Sequence, residues 1–119
     1  MRHILIIGAG RSASSLIQYL LNKSGEEKLH LTIGDLSLEL AEKKINNHPN
    51  ATALAFDIFN ESQRQTEIQK ADIVISMLPA HLHFEVAKDC IKYKKHMVTA
   101  SYISDAMQSL DEAAKENLS

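Results

Sequence analysis

Cysteine is nearly absent. Cys90 stands alone, so no disulfide can form within the chain, which agrees with a reducing, cytoplasmic compartment. Long apolar runs are missing as well. The run nearest the start, Ile4-Leu5-Ile6-Ile7, is too short for a signal-peptide core and far short of the roughly 20 residues of a membrane span. Neither sign of charge dominates, with 13 Lys and Arg against 15 Asp and Glu and a formal net charge of −2. That balance gives no footprint for nucleic acid or an anionic membrane surface. Low-complexity segments, internal repeats and linkers are also lacking. What is present is a 119-residue chain, 45% hydrophobic and 24% charged, the composition and size of one soluble globular domain.

Apolar and amphipathic stretches alternate along it. Residues 3–7 stay apolar after His3 and stop at Gly8, which predicts a strand buried on both faces. Leu16, Ile17, Leu20 and Leu21 recur at helical spacing over 12–23, and Ser24-Gly25 reads as a stop. Further strands are predicted over 29–33, 51–56, 73–77 and 96–99. Helices are predicted over 37–45, weakly over 61–69, and over 81–93 and 104–117. Strands that alternate with helices argue for a parallel sheet, because parallel neighbours need crossover connections. The expected fold is α/β, a Rossmann-type doubly wound parallel sheet of about five strands in order 3-2-1-4-5.

Gly8-Ala9-Gly10-Arg11-Ser12-Ala13 lies where the first strand ends and the first helix begins. Gly8 permits the tight turn, Gly10 lets backbone approach a pyrophosphate, and Ala13 lets the helix pack closely on the strand. The unpaired N–H groups of the first helical turn then face the phosphates. Asp35 follows Gly10 by about 25 residues, near the spacing of about 20 for a carboxylate that bonds the adenosine ribose. Asp35 or Ser37, ahead of Leu38, also suits a helix N-cap, and both roles can coexist. A carboxylate there, with no arginine beside it, leads to the expectation of NAD, with NADP less favoured; Arg11 pulls the other way.

Asp57 and the Ile58 backbone, after the third strand, have two readings: contacts to an adenine, or a solvated loop. Met77, Leu78 and Pro79 end the fourth strand, where ligands bind in open α/β sheets. His81 and His83, two residues apart and without a cysteine or acidic partner nearby, do not suggest a metal. Cys90 falls on the apolar face of its helix and reads as core. Ser101 and Tyr102 follow the fifth strand and are the candidates for contact with a substrate.

Three stretches, IIGAGRSA at 6–13, ADIVISMLPAHLH at 71–83 and KKHMVTASYIS at 94–104, give a chain that resembles the N-terminal domain of the saccharopine dehydrogenase family, nearest its glutamate-forming members. The resemblance spans residues 4–115. It implies that Gly8, Gly10, Arg11, Ser12 and Ala13 bind the pyrophosphate, Asp35 the ribose, and Asp57 and Ile58 the adenine. Met77, Leu78 and Pro79 would line the nicotinamide side. Thr99, Ala100 and Ser101 would lie by the nicotinamide ribose, with Ser101 and Tyr102 also meeting saccharopine. It implies reversible hydride transfer at a secondary amine. The imine so formed is split by water into glutamate and aminoadipate semialdehyde. A second, substrate-binding domain belongs to that family. Residues 1–119 are therefore expected to be the cofactor domain of a two-domain enzyme, inactive alone, with catalytic residues elsewhere. A small amino-acid substrate and a homodimer fit the same picture. A family branch that makes carboxylated polyamines, and a regulatory nucleotide-sensing module, are the competing readings.

Overall fold

The computed structural model describes residues 2–10 and 13–99. Its strands are β1 (Arg2–Ile7), β2 (Leu29–Asp35), β3 (Ala51–Ala55), β4 (Ile73–Ser76) and β5 (His96–Thr99). Between them run α1 (Ser14–Glu27), α2 (Leu38–Ile45), α3 (Glu61–Lys70) and α4 (His83–Lys92). All neighbouring strands are parallel, in the order β3-β2-β1-β4-β5, the expected Rossmann-type doubly wound sheet. The helix expected at 104–117 lies outside the described residues.

Alternation along each strand divides the core. Ile4, Ile6, Leu31, Ile33 and Ile75 face α1 and α2 through Leu16, Ile17, Leu21 and Ala41. Leu5, Ile7 and Val74 face α3 and α4 through Ile68, Val86 and Cys90. Central β1 therefore contributes to both cores, and its unbroken apolar run follows from that.

The Ser24-Gly25 stop does not operate. α1 continues to Glu27 and closes at Lys28, whose φ is 55° and whose N–H bonds the Ser24 carbonyl. Ser24 is buried and donates its hydroxyl to the Leu21 carbonyl at 2.7 Å, which satisfies it inside a helix. Gly25 sits on the exposed side, where a missing side chain forfeits no packing. The 81–93 helix starts late instead: Ala80–Leu82 form a 3-10 turn and α4 begins at His83. The weak 61–69 helix is real, capped by Asn60 accepting from the Gln63 N–H at 3.1 Å. Among the described residues no helix is long and apolar enough to cross a membrane.

Cys90 is core, as expected. Burial, aided by the neighbouring Asp89 charge, pushes its thiol up from 9.0 to about 11. The unfolded chain gives up this proton first, so the thiol's contribution to stability is intact below pH 9 and fades as pH rises toward 11. Iodoacetamide at pH 8 is expected to label Cys90 only on unfolding; fast labelling of the folded chain would refute that.

Candidate functional site

The carboxyl ends of β1, β2, β3 and β4 open on one crevice. At the end of β1 the backbone turns through Gly8, whose φ is 104°, and Gly8 N–H bonds the Gly34 carbonyl at 2.7 Å. A Cβ on Gly8 would stand 3.3 Å from the Met77 backbone, so Gly8 is needed for conformation and for contact. Gly10 differs: a Cβ there would meet nothing within 4 Å, and its φ is not positive. The space above it is open to a ligand. Ala13 is fully buried in the α1 core and donates its N–H to the Gly10 carbonyl at 3.0 Å, so the three small positions have three separate tasks. The first turn of α1 has no acidic residue to oppose an anion. These features fit a pyrophosphate. Arg11 and Ser12 lie outside the described residues.

Asp35, the last residue of β2, does more than end the strand. Its Oδ1 accepts from the Ala9 N–H at 2.9 Å and its Oδ2 from the Ser37 N–H at 2.9 Å. The carboxylate thus clasps the glycine loop to the entrance of α2. The helix cap itself is Ser37, whose hydroxyl accepts from the Leu40 N–H at 3.2 Å, so the capping role considered for Asp35 passes to its neighbour.

A cavity of about 160 Å³ lies between these groups. Of the predicted site residues it brings together Gly8, Asp35, Asp57, Ile58 and Leu78. It also takes in Ile7, Gly34, Leu36, Phe56, Phe59 and Leu82. Met77 lies below Gly8 instead of lining the cavity, and Pro79 holds the 3-10 turn by accepting from the Leu82 N–H at 2.9 Å. Thr99 pairs in register with Ser76 at the ends of β5 and β4, away from the cavity. Ala100, Ser101 and Tyr102 lie outside the described residues.

Three further residues line the cavity that the sequence did not single out. Gly34 is an isolated glycine in a strand, a sign of close backbone approach; a Cβ there would sit 2.9 Å from that of Phe56. Leu36 and Phe59 each closely follow one of the cavity's acids and are 77% and 71% exposed. Both border the cavity. His83 has a partner of its own, its Nδ1 lying 2.8 Å from the Ser76 hydroxyl. Among the described residues no three His, Cys, Asp or Glu side chains gather as a metal site. A larger groove of about 570 Å³ runs over β1–β3 beside the end of α3, lined by His3, His30, Thr52 and Lys70. None of the predicted site residues borders it.

The family model described as the saccharopine dehydrogenase NADP binding domain matches residues 4–118. Saccharopine dehydrogenase (NADP(+), L-glutamate-forming) of Schizosaccharomyces pombe is 35% identical over 114 residues, 96% of this chain and 25% of the relative. Alpha-aminoadipic semialdehyde synthase of Arabidopsis thaliana is 32% identical, over 94% of this chain and 12% of the relative. The apo structure of saccharopine dehydrogenase (L-Glu forming) from Saccharomyces cerevisiae superposes with a TM-score of 0.76 at 27% identity, covering 92% of this chain and 24% of that one. The chain thus spans a quarter or less of the length of these relatives. The expectation of NAD as main cofactor is overturned, since the matching family model and the fission-yeast relative both name NADP. The physical reason is at Asp35. Each of its oxygens already accepts from one backbone N–H group, so a carboxylate at this position has a structural task whichever nucleotide binds, and its presence alone does not select NAD.

Proposed function

The chain belongs to the saccharopine dehydrogenase family, and from that premise we propose that it holds NADP(H) as the cofactor domain of a two-domain oxidoreductase acting on saccharopine in lysine metabolism. The observation that carries this is the meeting of the Gly8–Gly10 turn, the Asp35 clasp and the 57–59 turn around one cavity at the strand ends. The bound nucleotide supplies the hydride chemistry. The chain's own groups bind and orient it: α1 N–H groups toward the pyrophosphate, and Leu36 and Phe59 on the adenine. Arg11, Ser12 and Thr99 to Ser101 complete the proposed contacts on sequence grounds, with Ser101 and Tyr102 toward the amino-acid substrate. A cytoplasmic setting and a homodimer belong to the same proposal; exposed Phe84 and Ile91, seven residues apart on α4, support the latter.

Calorimetric titration of the chain with NADPH tests the reading, with Gly10→Ala as the diagnostic variant. Because the Cβ direction at Gly10 is open and its φ ordinary, the variant is expected to fold with unchanged or slightly raised stability. The added methyl group displaces the pyrophosphate, and affinity is expected to fall by about tenfold or more. No heat of binding at millimolar NADPH, or equal affinity in the variant, would sink the proposal.

A further inference from the structure

Under the outer wall of the cavity lies a charged pair that the nucleotide reading leaves unused. Arg64 of α3 is 4% exposed and Asp89 of α4 is 3% exposed, although such side chains are seldom this buried without a partner. Arg64 Nε donates to Asp89 Oδ2. Arg64 Nη1 donates to the Ile58 carbonyl at 2.8 Å and stands 3.6 Å from Glu85 Oε2. The ion pair alone would tie α3 to α4. The bond to Ile58 does something else: it reaches back to the turn that walls the cavity between Asp57 and Phe59. The turn also has its own backbone bond, Asn60 N–H to the Asp57 carbonyl at 2.9 Å, and two side-chain bonds at the surface. Phe59 N–H donates to Asp57 Oδ1 at 2.9 Å, and Asp57 N–H to Gln63 Oε1 at 3.1 Å; both are exposed to competition from water. The guanidinium contact is buried and charge-assisted, hence stronger.

We propose that Arg64 is a positioning residue for nucleotide binding, fixing the 57–59 turn through the Ile58 carbonyl so that the adenosine half meets a preformed wall. This rests on the nucleotide reading above. Only a planar fork serves Asp89 with one nitrogen and Ile58 with another; an ammonium is a point charge without that geometry. Asp89 acts through Arg64, and Gln65 Nε2 steadies its other oxygen at 3.4 Å.

The test uses two variants that avoid a lone buried charge, Arg64→Lys and Arg64→Met with Asp89→Leu. Amide hydrogen exchange is measured without nucleotide, and binding is measured with 2′,5′-ADP, which carries the adenosine half alone. In both variants the Phe59 and Asn60 amides are expected to exchange about tenfold faster or more, and 2′,5′-ADP to bind about tenfold more weakly, the loss of about one charge-assisted hydrogen bond. A purely structural role would lower the melting temperature and leave both readouts of the folded protein unmoved, which would overturn the inference. Faster exchange with unchanged 2′,5′-ADP affinity would overturn it too. Failure of the wild-type chain to bind 2′,5′-ADP and NADPH while the exchange effect appears would overturn the nucleotide reading and leave Arg64 as the anchor of a turn with no ligand.

Discussion

Replacing Arg64 by methionine, with Asp89 left in place, is expected to destabilise the chain by about 3–5 kcal/mol, the usual consequence of stranding a buried charge. Asp89 would keep only the long contact to Gln65, and its desolvation would go uncompensated. Total stabilities are about 5–15 kcal/mol, so the single variant sits near the limit of folding. Changing Asp89 to leucine in the same chain removes the stranded charge, and the double variant is expected to recover most of that loss, since apolar replacement of a buried pair is often neutral, with about 1–3 kcal/mol remaining for the unpaired Ile58 carbonyl. Urea denaturation gives both numbers, and an unchanged dependence on urea shows that the unfolded state is the same. A single variant that loses under about 1 kcal/mol would mean that water reaches the pair, as in a surface bridge. The contrast bears on the proposed role of Arg64: apolar packing can offset the stranded charge in the double variant but cannot rebuild the bond to the Ile58 carbonyl.

How far the sequence can be read depends on whether a residue's role is local. β1 and its turn were legible because each follows from neighbouring residues, an apolar run and a glycine, and the 3-2-1-4-5 order followed from the strand–helix alternation through the rules of doubly wound sheets. The turn at Gly8 and the close packing at Ala13 were legible for the same reason. Arg64 was not. α3 reads ESQRQTEIQK with a single large apolar residue, so periodicity alone puts Arg64 at the surface; its partner lies 25 residues further on, in another helix. Asp35 shows the same limit more sharply. Its place at the end of β2 was read correctly, but the preference for NAD drawn from it was not. The Ala9 N–H that takes one carboxylate oxygen comes from 26 residues earlier and meets it only once β1 and β2 are paired. A cofactor preference drawn from that one side chain therefore left out a contact that gives the carboxylate a structural task of its own. Leu36 and Phe59 were overlooked for a different reason, since exposure is a property of the folded surface and no pattern of spacing predicts it.

Gly8 and Gly10 look alike in sequence, yet Gly8→Ala is expected to behave as the reverse of Gly10→Ala. At φ 104° an alanine is held in a sparsely populated region, at about 1–3 kcal/mol. Its Cβ would press at 3.3 Å on the Met77 backbone, which cannot rotate away because the Met77 N–H is bonded to the Ile7 carbonyl at 2.8 Å. The combined loss is expected near 3 kcal/mol, a fall in melting temperature of roughly 10 °C. Gly8 N–H also holds the Gly34 carbonyl, and Gly34 is where β2 admits Phe56, so the strain reaches the cavity wall and nucleotide affinity falls with stability. Thermal melts beside NADPH titrations of both variants read the difference. Gly10→Ala should lose binding and keep its melting temperature; Gly8→Ala should lose both. If Gly8→Ala melted with the wild type, the turn would have an alternative path and the close contact with Met77 would not constrain it. If Gly10→Ala melted well below the wild type, the space over Gly10 would already be filled by the chain itself, and the pyrophosphate would have to be accommodated elsewhere in the crevice.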